Sequence, residues 1–121
     1  MLDYLLHPLV CERFLTDARY REGHLRVVNA LPERRVIGVH SPEIKAVAKQ
    51  LSREGGEVVM PDGVRRICAN GAGVIHAFEA VSSGSLHYEE TVIWGYLINL
   101  EKCSLDDRLA MLSRYVPVLD N

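Results

Sequence analysis

Apolar positions recur at helical spacing along most of this chain. Leu2, Leu5, Leu6, Leu9, Val10, Phe14 and Leu15 form a stripe over residues 2–15, and Pro8 either kinks it or opens a new turn. Thr16-Asp17 reads as the cap of a second helix from about Ala18 to Leu31, with Tyr20, His24, Leu25 and Val28 on one side and Pro32 at its end. Glu33 to Val39 is a connector. Ser41-Pro42-Glu43 is a helix start, with Ser at the cap, Pro at the first position and an acid in the first turn. Ile44, Val47, Ala48 and Leu51 follow on one buried face, and Gly55-Gly56 stops the helix.

Residues 57–73 carry a weaker pattern. Val58-Val59-Met60 suits a brief extended piece, Pro61-Asp62 could open a short helix through Cys68, and Asn70-Gly71-Ala72-Gly73 reads as a loop. Val74 to Val81 resumes helical spacing through Ile75, Ala77 and Phe78, and Ser82-Ser83-Gly84-Ser85 is another loop. Tyr88 to Leu100 is apolar nearly all round, which places it centrally in the packing. Its Gly95 costs about 1 kcal/mol of helix propensity relative to Ala, and close approach of a neighbouring helix would offset that. Ser104 with Asp107 three residues on resembles a capping box for a last helix that Pro117 ends or kinks near Val116.

These elements predict an all-α fold: antiparallel helix pairs in a single helical domain over residues 1–121. The pair lengths suit a helical solenoid of about 40–47 residues per unit, but spacing alone does not separate a solenoid from a compact bundle. The longest apolar stretch, Val92 to Leu100, falls far short of the roughly 20 residues that span a bilayer. No basic leader precedes the first apolar residues. Cys11, Cys68 and Cys103 are odd in number and far apart, which suits reduced thiols in a cytoplasmic protein.

Formal net charge is -2, so no global basic signature marks a nucleic-acid partner. The charge is uneven, however: residues 12–66 carry 11 Lys and Arg against 8 acids, and residues 67–121 carry 3 against 7. Within the basic half, Lys45, Lys49 and Arg53 lie at successive i+4 steps beside the apolar face of their helix. That ridge is the best candidate for DNA-backbone contact, and its plainer alternative is a solvated helix face.

Other constellations carry less chemistry. His7, His24, His40, His76 and His87 form no H-E-x-x-H and no i, i+4 pair with an acid between, so no metal site is expected. Glu89 and Glu90 point about 100° apart on a helix, so they do not share a face for paired acid–base work; as first-turn acids they complement the helix dipole. Gly71-Ala72-Gly73 lacks the Lys-Ser/Thr of a phosphate loop, and nothing argues for covalent catalysis or for a cofactor.

Four segments in order resemble the DNA alkylation repair family, the AlkD-like glycosylases built from HEAT-type helix pairs. Tyr20-Arg21 followed by His24 is similar to Y-[RK]-x-x-H, and the run Ile37 to Lys49 is similar to G-[VI]-R-x-P-x-[LI]-R-x-[LI]-A-K. Tyr88-Glu89-Glu90 with Gly95 and Ile98 is similar to Y-E-E-x-x-x-x-G-x-x-I, and Tyr115 to Asn121 to F-[VL]-P-x-[IL]-D-N. His40 and Lys45 stand where the family block carries arginines, which loses a permanent charge at one position and a planar fork at the other. Residues 57–86 match nothing in the family pattern.

The resemblance implies the start of a HEAT-like superhelix and a parent function of excising alkylated bases from DNA. In the family the Asp-Asn run continues into the Trp and Asp tied to excision. The chain stops at Asn121, so it reads as the front part of a longer protein, inactive on its own, and no catalytic residue is carried over. DNA binding is expected to be weak, and an unfinished solenoid face would favour a homo-oligomer. The alternative is a non-enzymatic helical-repeat module that binds protein or nucleic acid.

Overall fold

The computed structural model describes residues 1–28, 36–81 and 85–119. The described residues are mostly helical with one small sheet: α1 (Asp3–Leu6), α2 (Glu12–Thr16), α3 (Ala18–Val28), α4 (Ser41–Glu54), β1 (Gly56–Val59), β2 (Arg65–Cys68), α5 (Gly71–Glu79), α6 (Tyr88–Leu100) and α7 (Leu105–Tyr115). Short 3-10 turns follow α1 at His7–Leu9 and α7 at Val116–Val118, each with a proline near its start. The expected end of the second helix at Leu31-Pro32, most of the Ser82–Ser85 loop and the closing Asp120-Asn121 lie outside the described residues.

Helix α6 is the centre of the packing. Ile93, Trp94, Leu97 and Ile98 are buried, and α4 covers them with Ile44, Val47, Ala48 and Leu51. Full burial of each such side chain contributes about 1.5–3 kcal/mol. On the α5 side, Phe78 stacks on Trp94 with ring centroids 5.6 Å apart. From α7, Tyr115 meets Trp94 edge-on at 5.2 Å and donates its hydroxyl to the Thr91 carbonyl at 3.0 Å. A Cβ on Gly95 would sit 2.6 Å from the Tyr115 hydroxyl oxygen, so the glycine allows α7 to close on α6. Met1, Leu2 and Leu6 insert into the same cluster.

The structure departs from the sequence reading at several elements. The stripe over residues 2–15 is not one helix: Pro8 enters a 3-10 turn, Val10 leaves the helical region and pairs with Val39, and α2 restarts after Cys11. The short helix expected from Pro61 through Cys68 is instead the second strand of an antiparallel hairpin, with Gly56 opposite Cys68 and Val59 opposite Arg65. Its turn is set by Asp62, whose carboxylate accepts the Val64 N–H at 3.0 Å, and by the Met60 N–H donating to the Val64 carbonyl at 2.8 Å. The Asn70–Gly73 loop is the first turn of α5, because the Asn70 side chain caps the Gly73 N–H at 3.0 Å.

Helices α4, α6 and α7 follow the expected bounds closely. Ser104 caps α7 by accepting the Asp107 N–H at 3.1 Å. The cap of α4 is His40 rather than Ser41, and the His40 carbonyl takes the N–H groups of Glu43 and Ile44.

Candidate nucleic-acid interface

Lys45, Lys49 and Arg53 are all exposed on α4, along a line that starts beside its buried face. A four-residue step rises about 6 Å along a helix, so the three cations form a row about 12 Å long. Among the described residues none of the three enters an ion pair. The Lys45 ammonium lies 5.9 Å from the centre of the Tyr96 ring of α6, a cation–π contact that ties the start of the row to its neighbour.

Farther along the row, Lys49, Ser52, Arg53 and Leu100 line a surface cavity of about 260 Å³. A second cavity of about 320 Å³ shares Ser52, Arg53 and Leu100 and adds Glu101 and Lys102. Lys102, just beyond α6, therefore joins the α4 cations, a neighbour that sequence spacing did not reveal. Arg53 also sits in the last turn of α4, where a cation complements the helix dipole.

The two acids of α6 have a different role. Glu89 is fully buried and accepts three backbone N–H groups in a row: Ile37 at 2.9 Å, Gly38 at 2.7 Å and Val39 at 3.1 Å. Glu90, also fully buried, accepts the His87 N–H at 2.9 Å, the Leu2 N–H at 2.6 Å and the Met1 ammonium at 2.8 Å. Burial alone would raise the Glu90 pKa; the hydrogen bonds from the His87 ring and the ammonium outweigh it and lower the value to about 2. With their oxygens engaged by the protein's own donors, these carboxylates hold the connector and the amino-terminal residues against α6.

Asp3, His87 and Glu90 bring one ligand atom each within 4.8 Å of one another. Their three donors are of the kind that bind zinc, and no sequence spacing signalled them. The Met1 ammonium against Glu90 already supplies the positive charge that a metal ion would bring.

A further cluster joins α2, α3 and the start of α4. The Tyr20 hydroxyl lies 2.6 Å from His40 Nε2 and 3.8 Å from Cys11 Sγ. The Arg13 guanidinium sits 4.4 Å from the centre of the Tyr20 ring, and His24 stacks on that ring with centroids 6.5 Å apart. The His24 ring also meets Phe14 edge-on at 5.4 Å.

Comparison with protein-family models, with curated proteins and with solved structures finds no match to this chain.

Proposed function

We propose that this chain is the N-terminal part of a DNA alkylation repair protein similar to the AlkD-like glycosylases, in which α4 supplies contacts to the DNA backbone. The observation that carries this reading is the way its four resembling segments meet. Tyr20 of the first reaches His40 of the second, whose Ile37, Gly38 and Val39 are held by Glu89 of the third. Gly95 of the third segment receives Tyr115 of the fourth. Residues that look scattered in the sequence are therefore contact points between successive elements, as expected if the pattern records one shared architecture. In this proposal α4, α6 and α7 belong to antiparallel pairs that begin a HEAT-like superhelix, with the hairpin as an addition between them.

No excision residue is assigned in the chain. Its contribution is support and phosphate contact, through Lys45, Lys49 and Arg53 with Lys102 alongside. Fluorescence anisotropy with a labelled duplex tests this. Weak binding is expected, with affinity falling as salt rises. Lys45→Ala with Lys49→Ala should shallow the log–log salt slope by about 2, roughly one for each lost phosphate contact. An unchanged slope and affinity would remove the ridge from the interface.

One observation favours the second reading, a helical module that binds protein or a second copy of itself. Helix α7 buries no residue fully and exposes Leu105, Leu109, Val116 and Leu119 together with its following turn.

A further inference from the structure

We infer that Cys11 is a reactive thiol, activated through Tyr20 and His40, that exchanges with small disulfides in solution. The inference is independent of the DNA reading. It rests on a hydrogen-bonded chain built from three separate elements: Cys11 ahead of α2, Tyr20 on α3 and His40 at the cap of α4. Tyr20 sits between the other two, 3.8 Å from Cys11 Sγ and 2.6 Å from His40 Nε2.

The chain can carry a proton in one direction. With a neutral imidazole, the thiol donates to the Tyr20 oxygen and Tyr20 donates to His40 Nε2. Moving the thiol proton to the Tyr20 oxygen while the Tyr20 proton passes to Nε2 leaves a thiolate, a neutral phenol and an imidazolium. The same two hydrogen bonds, now reversed, stabilise the products: His40 donates to Tyr20 and Tyr20 donates to the thiolate. A tyrosine is suited to this position because its hydroxyl both donates and accepts.

The surroundings favour the charged form. The Phe14 backbone N–H, ahead of the Tyr20 hydroxyl and the Arg13 charge, lowers the Cys11 pKa from its ordinary value although burial opposes it. Arg13 lies over the Tyr20 ring and is paired at 3.8 Å with Asp17, which tempers its charge. His24 stacks on Tyr20, and Arg21 of α3 donates to the Phe14 carbonyl at 3.4 Å. Cys11 is half-buried, so a small reagent can reach it. Cys68 provides the contrast: it is buried in the core, and burial pushes its pKa up.

In the exchange the Cys11 thiolate attacks one sulfur of a disulfide R–S–S–R. A Cys11–S–S–R bond forms, the original S–S bond breaks, and R–S⁻ leaves with the bonding pair. The leaving thiolate takes up the proton held on His40, directly or through solvent. Cys11 is oxidised and the leaving sulfur is reduced, so no other oxidant is needed.

The test treats the full chain with dithiodipyridine over a range of pH. Thiopyridone release gives the rate, and peptide mass mapping assigns it to each cysteine. Cys11 should label about tenfold faster than Cys103 near neutral pH, with Cys68 slowest. Tyr20→Phe and His40→Gln should each slow Cys11 several-fold and move its pH–rate profile upward, leaving Cys103 unchanged. His40 is exposed, so His40→Gln decides alone if circular dichroism shows that Tyr20→Phe disturbs the fold. Equal rates for Cys11 and Cys103 at every pH would overturn the inference, as would an unchanged Cys11 rate in the folded His40→Gln protein.

Discussion

The Glu89 carboxylate accepts the Gly38 N–H at 2.7 Å across 51 residues of sequence, and the same oxygen takes the Val39 N–H at 3.1 Å. Gly38 reaches it with φ of 102°, a left-handed conformation that strains other residues, and a Cβ there would lie 2.3 Å from the Phe14 ring. One carboxylate thereby satisfies three buried backbone donors of residues 37–39, which precede α4 and lie in no named helix or strand. Glu89→Gln keeps the shape but presents a neutral amide to those N–H groups. A loss of about 2–4 kcal/mol is expected, because a buried charged acceptor serving several donors is replaced by a weaker one. Urea unfolding reads it directly, and an unchanged midpoint would show that the connector is held by packing alone.

Glu90 predicts how stability responds to acid. Its pKa is lowered from 4.5 to about 2 in the folded chain, so the unfolded state binds the proton more readily. The sign follows: the stabilisation is complete above the unfolded value and is lost as pH falls from about 4.5 towards 2. Its size is of order 3 kcal/mol, from the width of that interval. Unfolding free energies measured between neutral pH and pH 3 should therefore fall more steeply in the wild type than in Glu90→Gln. Parallel curves would place the acid sensitivity elsewhere.

Gly95 and Tyr115 form a coupled pair. Gly95→Ala gains about 1 kcal/mol of helix propensity, yet its methyl enters space held by the Tyr115 hydroxyl. Tyr115 cannot swing away cheaply, since it is wedged against Trp94 and bonded to the Thr91 carbonyl. The expected net result is destabilisation by about 1–2 kcal/mol, on the scale of overpacking in a tight core. Tyr115→Phe removes the nearest atom, so Gly95→Ala should cost less in that background. A double-mutant cycle by thermal unfolding checks this, and additive effects would show that the helices separate freely.

Much of this arrangement was readable in the chain, and the unread parts have physical causes. Helices α4 and α7 announced themselves because they are long enough for several periods of the apolar pattern, α6 because it is a long run apolar nearly all round, and Ser104 marked a start. Of the hairpin, the extended Val58-Val59 was legible, and the second strand was not. The strands span four residues each, and Ile67 turns outward at 86% exposed, so β2 shows no alternation between core and solvent. The cation row on α4 was legible because i+4 spacing is local. Cys11, Tyr20 and His40 were not, because their meeting depends on where α2, α3 and α4 pack. Glu89 was visible as a first-turn acid, but its partners are backbone N–H groups, which leave no side-chain signature.

The exposed row on α7 leads to the last prediction. Leu105 is 71% exposed and Leu109 54%, with Val116 and Leu119 continuing the row past the helix end. Their i+4 spacing puts Leu105 and Leu109 on one face, one turn apart. The adjoining side of α7 is occupied: Tyr115 rests on α6, and Arg108 caps the end of α6 by donating to the carbonyls of Asn99 at 2.9 Å and Glu101 at 2.8 Å. The helix is thus fixed along one side and carries an uncovered apolar row beside it, the pattern of a surface that gains free energy when covered. Sedimentation velocity should show mass rising with protein concentration. Leu105→Glu with Leu109→Glu should hold the protein monomeric without lowering its unfolding temperature by more than a few degrees, since neither side chain supports the core. A wild type that stays monomeric at high concentration would leave this face to a different partner.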